Sequence, residues 1–454
     1  MNAKIDRSIQ PTSGPIPKIN LKTPQTFSLD NGLEIIVVED HKLPKITASL
    51  HIDNGPIAEG TKIGTSDFVG SLLGSGLEGM TKTAFDEEID FLGASVFFDS
   101  EGAFASSLTK FFPRVFELMG SAAIHPKFTQ EEFEKTRTRI IDGIKSTENN
   151  INVISNRLRK AIGYGKEHPY GEFKTKKTVS NITLQDVKKH YKKYYRPNNA
   201  YLVIVGDITI TEAKKLVEKH FKTWEKSDIQ SVTIPKPKNV NKTIINFIDM
   251  PNAVQSVVSV MNTTNLEMAD TDYFAVLLAN QILGGDFNSY LNMNLREKHG
   301  FTYGARSVIN ADKYASMFRT NVSVSNSVTS KAVIETMKEI KRIRTDKVTE
   351  EVLENVKAGY VGRFVMALEK PKTIANYALN SKIHNLPKDF YKTYLEKINT
   401  VTVEDILRVS KKHFYVDNTR IMVTGKAIDV LPNLEKLGYE ITYYNTLAEK
   451  IEKP

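Results

Sequence analysis

Metal or nucleophile chemistry in this chain has to be built from nine histidines and from oxygen ligands, because it contains no cysteine. That absence removes thiolate zinc sites, cysteine nucleophiles and disulfides. No histidine begins an H-x-x-E-H or H-x-x-x-H pattern, the spacing that sets two imidazoles one turn apart on a helix. The two nearest in sequence, His41 and His51, fall on separate predicted strands, so a histidine zinc site would have to be assembled from distant segments. No G-x-S-x-G marks a serine nucleophile.

A second cluster of reactive types is Leu295-Arg296-Glu297-Lys298-His299-Gly300-Phe301-Thr302-Tyr303-Gly304, preceded by Gly284-Gly285 and Leu291. Arg296 and Tyr303 stand seven residues apart (303 − 296). A guanidinium offers N–H donors in a fixed fork, and a phenol can donate or accept. Taken alone, the pair reads as a solvated charge at a helix end and a core aromatic.

The elements that must carry these residues come in two copies. Thr183 to Asp207 aligns without gaps on Thr402 to Lys426, at an offset of 219 (402 − 183). Identities fall at Thr183/Thr402, Asp186/Asp405, Lys192/Lys411, Lys193/Lys412, Asn199/Asn418 and Gly206/Gly425. Each copy reads as a Thr-x-x-Asp helix start, an amphipathic helix, a turn at asparagine and a β-branched strand ending at glycine. A period this long is no solenoid and predicts two similar domains. Upstream, Phe27 to Val38 reads as a hairpin around Asp30-Asn31-Gly32, Ile46 to Ile52 as a strand and Ser66 to Leu73 as the start of a helix. In the second copy, Thr243 to Ile248 and Val254 to Val260 read as strands, and Asp270 to Leu283 as an apolar-striped helix ending at Gly284-Gly285. The fold class expected is α+β: two homologous domains, each an antiparallel sheet with helices on one face, together forming a half-clamshell. The boundaries expected are an extended proline-containing arm over 1–25, a first domain over 26–226, a linker over 227–241 with Pro235 and Pro237, and a second domain over 242–454.

Composition fits this reading. Hydrophobic residues make up 40% and charged residues 25% of 454, as in ordinary globular proteins and too long for one core. The net charge is +9, but the lysines are scattered rather than gathered on one motif, which argues against nucleic acid as a partner. No apolar run reaches the roughly 18 residues of a membrane span. Met1 to Asp6 has no apolar signal region; a mature periplasmic chain is favoured over a cytoplasmic one.

The stretch around Arg296 and Tyr303 resembles the second half of insulinase/pitrilysin-type zinc peptidases, closest to their mitochondrial-processing-peptidase-like branch, in which a helix runs into L-R-E-x-x-G-L-x-Y. Leu29-Asp30-Asn31-Gly32-Leu33, His168-Pro169-Tyr170-Gly171, Tyr195-x-Pro197 and Gly206-Asp207 extend the resemblance over nearly the whole chain. In that family one half-chamber carries zinc, and the other supplies an arginine and a tyrosine seven residues apart that hold the substrate backbone. The resemblance gives those roles to Arg296 and Tyr303.

The family's zinc motif, H-x-x-E-H on the first helix, matches Gly64-Thr65-Ser66-Asp67-Phe68-Val69-Gly70-Ser71. Asp67 stands for the first histidine, Gly70 for the general base and Ser71 for the second histidine. The further family carboxylate falls on Asp142 or Gly143. With no side chain at Gly70 and a poor ligand at Ser71, this chain is expected to bind no zinc and to cleave nothing alone. The resemblance thus implies a non-catalytic, substrate-binding subunit of a bacterial heterodimeric zinc metallopeptidase, the homologous partner chain supplying zinc and the substrate being an extended peptide. The alternative is a structural subunit of a larger complex without peptidase function.

Overall fold

A computed structural model describes residues 23–228 and 233–454. The expected N-terminal arm up to residue 22, and residues 229–232 of the expected linker, lie outside these residues.

The first half forms a six-stranded sheet from β1 (Gln25–Ser28), β2 (Glu34–Glu39), β3 (Lys45–Ile52), β4 (Ser95–Asp99), β5 (Gly102–Leu108) and β6 (Ala200–Gly206). Their spatial order is β1-β2-β6-β3-β5-β4. Its main helices are α1 (Thr65–Leu72), α2 (Lys82–Phe91), α3 (Phe112–Ile124), α4 (Gln130–Ser146), α5 (Ile151–Tyr164) and α6 (Leu184–Tyr194). The second half forms a seven-stranded sheet from β7 (Ile244–Asp249), β8 (Gln255–Thr264), β9 (Ala305–Asn310), β10 (Ser316–Ser325), β11 (Arg420–Gly425), β12 (Glu440–Tyr444) and β13 (Lys450–Ile451). Their order is β9-β10-β8-β11-β7-β12-β13. Its main helices are α7 (Tyr273–Asn280), α8 (Thr329–Thr345), α9 (Glu350–Leu368), α10 (Pro371–Ile383) and α11 (Val403–His413).

The two sheets repeat one plan: β2-β6-β3-β5-β4 matches β7-β11-β8-β10-β9. The duplicated helices α6 and α11 start 219 residues apart (403 − 184). Both open on a complete capping box, Thr183 with Asp186 and Thr402 with Asp405, which satisfies two otherwise orphaned N–H groups at each helix start. Earlier elements are offset less: β2 and β7 start 210 apart (244 − 34). Part of the difference lies in the β9–β10 hairpin, where β10 has ten residues against seven in β5.

Two details of the expected architecture need correction. The sheets are mixed rather than antiparallel: β2 runs parallel to β6, β7 parallel to β11 and β12 parallel to β7. A parallel pair needs a long crossover, and most of the first half's helices lie in the stretch joining β2 to β6. Nor do helices stay on one face. The apolar core of each half lies between its sheet and its own helices. The opposite face receives a helix from the other half. Ile154, Leu158 and Ala161 of α5 pack on Ile248, Met261, Met317 and Met422 of the second sheet. Ala375 and Leu379 of α10 pack on Ile36, Val38 and Val203 of the first. The helices α5 and α10 start 220 residues apart (371 − 151), so the exchange is reciprocal. No helix among the described residues is long and apolar enough to cross a membrane.

Candidate functional site

Asp67, Gly70 and Ser71, the positions expected to replace the zinc motif, lie on α1, which begins after Gly64 at a positive φ of 113°. Phe68, Val69 and Leu72 are buried, and Phe68 packs on Phe133 of α4 with ring centroids 4.9 Å apart. This packing fixes which side chains are left for chemistry. The Asp67 carboxylate receives the Lys174 ammonium at 2.7 Å. Ser71 is exposed.

Gly70 lies under the β4–β5 turn. A Cβ there would come within 2.5 Å of the Asp99 carbonyl carbon and 2.6 Å of the Ser100 nitrogen. Real Cβ atoms do not approach backbone that closely, so the space a glutamate would need is filled by main chain. Asp142 is exposed on α4, 3.4 Å from Lys145, and a Cβ on Gly143 would meet nothing within 4 Å. These residues do not fit zinc: the half-exposed Asp67 carboxylate is paired with an ammonium, Gly70 admits no side chain, and Ser71 offers only a hydroxyl. No group of three or more His, Asp or Glu side chains among the described residues is arranged to hold a metal.

Arg296 and Tyr303 are held differently. The helix α7 passes into a π-wound segment, Gln281–Gly285, and a second π-wound segment covers Met293–Lys298. Such wide turns re-aim side chains and recur at functional sites. The expected helix from Asp270 to Leu283 is therefore α-helical only from Tyr273 to Asn280. Leu291 and Leu295 are fully buried and anchor the segment. Asn292 bridges it, donating to the Phe287 carbonyl at 2.8 Å and accepting from the Ala305 N–H at 3.2 Å. Gly300, at φ 62°, makes the left-handed turn that a side chain would disfavour. Its N–H donates to the Arg296 carbonyl at 3.0 Å.

On this frame the Arg296 guanidinium lies over the Phe287 ring at 4.7 Å, with Nε 3.3 Å from Glu297. Tyr303 is 95% exposed, so it is no core aromatic. A cavity of about 960 Å³ opens between the halves and is lined by Ile63, Lys174, Asp249, Val254 and Thr446 among others, but by neither Arg296 nor Tyr303. Within one chain the pair therefore has no substrate-sized enclosure at that cavity.

Residues 181–360 match the family model described as "Peptidase M16 inactive domain". Over that stretch, about two fifths of its length, the chain is similar to the M16 family. It is 22% identical over 394 residues to the "Uncharacterized zinc protease YmxG" of Bacillus subtilis, covering 85% of this chain and 93% of that one. It is 21% identical to the "Non-peptidase homolog YmxG" of Helicobacter pylori, covering 87% and 92%. Its fold is similar to the crystal structure of a peptidase M16 inactive domain from Pseudomonas fluorescens, with a TM-score of 0.79, 22% identity, and coverage of 89% and 98%.

Two contacts in this chain carry no sequence signal. Lys174, the cation on Asp67, is 107 residues away in sequence in a stretch that reads as an ordinary lysine-rich loop. The His168-Pro169-Tyr170-Gly171 motif joins the halves: the Tyr170 hydroxyl donates to Asp312 at 2.9 Å. Burial, together with that carboxylate, pushes the Tyr170 phenol well above its ordinary range.

Proposed function

We propose that this chain is the non-catalytic, substrate-binding subunit of a heterodimeric zinc metallopeptidase, with Arg296 and Tyr303 acting in trans on a peptide that a homologous partner's zinc cleaves. The observation that carries this reading is a contrast. The general-base position, Gly70, is closed by the Asp99–Ser100 backbone, whereas Tyr303, on a separately braced segment, stands almost wholly in solvent. A fully exposed tyrosine contributes little to its own fold. Its hydroxyl is free to donate to an oxyanion that develops on a bound peptide, and the Arg296 fork can hold a peptide carbonyl. The partner brings the metal and the water-activating carboxylate; this chain orients the substrate. We place the pair of chains in the bacterial periplasm as part of the same reading.

The test is reconstitution. The purified chain should carry no stoichiometric zinc by elemental analysis and should cleave no peptide. Mixed with an M16 homologue from the same genome that has an intact H-x-x-E-H, it should form a stable complex and raise peptide cleavage above that of either chain alone. About one zinc per chain in the isolated protein would overturn the proposal. So would a complex whose activity does not depend on this subunit.

A further inference from the structure

The second sheet carries a group of cations with no acid among them. On β8, Met261 is the cross-strand partner of Arg319 on β10 and of Arg420 on β11. Directly paired residues share a face of a sheet, and Met261 packs against α5. Arg319 and Arg420 therefore emerge on the side that α5 covers. From α5 itself come Arg159 and Lys160. Arg159 is desolvated and lies in the field of Arg319, which together bring its pKa down to about 10. Lys160, whose side chain still reaches solvent, is lowered by partial desolvation and by both of those arginines.

No salt bridge to a carboxylate forms at Arg159, Lys160, Arg319 or Arg420 among the described residues. The one side-chain hydrogen bond from Arg159 goes to the neutral amide of Asn156. Asp312, which acts on the adjoining Tyr164, is already engaged: it accepts from the Tyr170 hydroxyl and from the Tyr314 and Ala315 N–H groups at 2.9, 2.7 and 2.9 Å. Glu440 on the far strand is paired with Lys242 at 2.8 Å. Like charges gathered at a partly desolvated surface without an ion pair repel one another, and an anionic ligand relieves that repulsion.

We propose that this face of the second sheet is a binding site for the acidic side chains of a peptide, so that the subunit selects glutamate- and aspartate-rich substrates. The inference rests on the peptide-binding reading above and names its substrate class. A peptide fits better than a nucleic acid. The open rows of β9 and β10 beside Arg319 present Val308, Asn310, Asn321 and Ser323, whose amides and hydroxyl can bond a peptide backbone. Those rows carry no aromatic ring on which a base could stack, and the ring of the adjoining Tyr164 is already stacked on His168 and met by the edge of Tyr170.

The test uses the full chain alone, without a partner, and fluorescence anisotropy of four labelled probes: twelve-residue Glu/Ser, Gln/Ser and Lys/Ser peptides and a twelve-nucleotide single-stranded DNA. At low salt the Glu/Ser peptide should bind at least about ten-fold tighter than the Gln/Ser peptide, and added salt should erode the preference. The Arg159→Gln/Arg319→Gln double variant should lose about ten-fold in Glu/Ser affinity while Lys338→Gln, on the outer helix α8, keeps it. Equal binding of the acidic and neutral peptides, an unaffected double variant, or tighter binding of the DNA would each overturn the inference. Because no cleavage is read, such a result leaves the in-trans proposal standing. Conversely, a subunit that prefers acidic peptides but adds nothing to a partner's activity breaks only that proposal.

Discussion

The two halves of this chain use the same helix-and-hairpin plan to opposite ends. Each has a glycine where its first helix crosses the edge hairpin: Gly70 lies on Asp99–Ser100, and Gly284 has Ser307 of β9 at 2.3 Å from a would-be Cβ. In the first half the contact falls within α1 itself, so it leaves no room for a side chain at position 70. In the second half it falls just past α7, in the first π-wound segment. The chain beyond it is free to present Arg296 and Tyr303 outward. The lesson is that one close backbone approach can close a helix position to any side chain or simply brace the loop beyond it, depending on where along the helix it falls.

The largest effect expected concerns the outward pair. In a reconstituted complex, Arg296→Ala should depress peptide turnover by about 10²–10³-fold and Tyr303→Phe by up to as much, the usual cost of losing one preorganised donor. The arginine should raise KM as well as lower kcat, and the tyrosine should act mainly on kcat. Both variants should melt and assemble as the unmutated chain does, since Tyr303 is exposed. Early melting with failed pairing would make the pair structural. Normal assembly with undiminished cleavage would favour the scaffold reading.

The reciprocal packing can be broken from either side. Leu158→Ala on α5 and Leu379→Ala on α10 each truncate a buried leucine that ties one half to the other half's sheet. Each should cost about 2–5 kcal/mol in denaturant unfolding. A single cooperative transition in both variants would show that the halves fold as one unit. If one variant splits the transition in two, the exchange is unequal.

The two glycines at degenerate zinc positions sharpen the contrast further. Gly70→Ala should destabilise by about 1–3 kcal/mol, because its Cβ has to displace main chain. Gly143→Ala, in open space on α4, should stabilise by about 0.5–1 kcal/mol through helix propensity alone. The Asp67→His/Gly70→Glu/Ser71→His triple variant should melt below the parent and gain no zinc by elemental analysis; a stable, metal-loaded triple variant would refute the steric account.

The smallest effect is a pH dependence shared by the repeats. Burial alone would raise the Asp186 carboxyl, but hydrogen bonds from Lys62, 2.6 Å away, and from Thr183 override it and hold it at about 2. Asp405 is also lowered, by Thr402 and Arg408 against the opposing effect of burial. A depressed folded pKa stabilises above the unfolded value of about 3.9 and loses that contribution as pH falls towards 2. Thermal melts between pH 5 and 2 should therefore show falling stability, with a shallower slope in Asp186→Asn.

Much of the plan was legible in the residues themselves. The Thr-x-x-Asp starts at Thr183 and Thr402 encode their own caps. The hairpin at Asn31-Gly32, the strand at Ile46 to Ile52 and the glycine at position 70 needed no tertiary information, because each is set by neighbours a few residues away. The lack of a side chain at position 70 was likewise visible as a residue type. What the sequence could not supply was any relation between distant segments. Lys174 meets Asp67, the Asp99–Ser100 backbone covers Gly70, Arg159 on α5 comes into the field of Arg319 on β10, and each half lends a helix to the other's sheet. The strand directions followed the same rule: the parallel pairing of β2 with β6 depends on how about 160 intervening residues cross over, not on the alternation within either strand. Spacing and periodicity report on one helix or strand at a time. Whether Tyr303 is buried or bare, and whether four cations scattered over 260 residues stand together, was decided only when the two sheets and their exchanged helices packed.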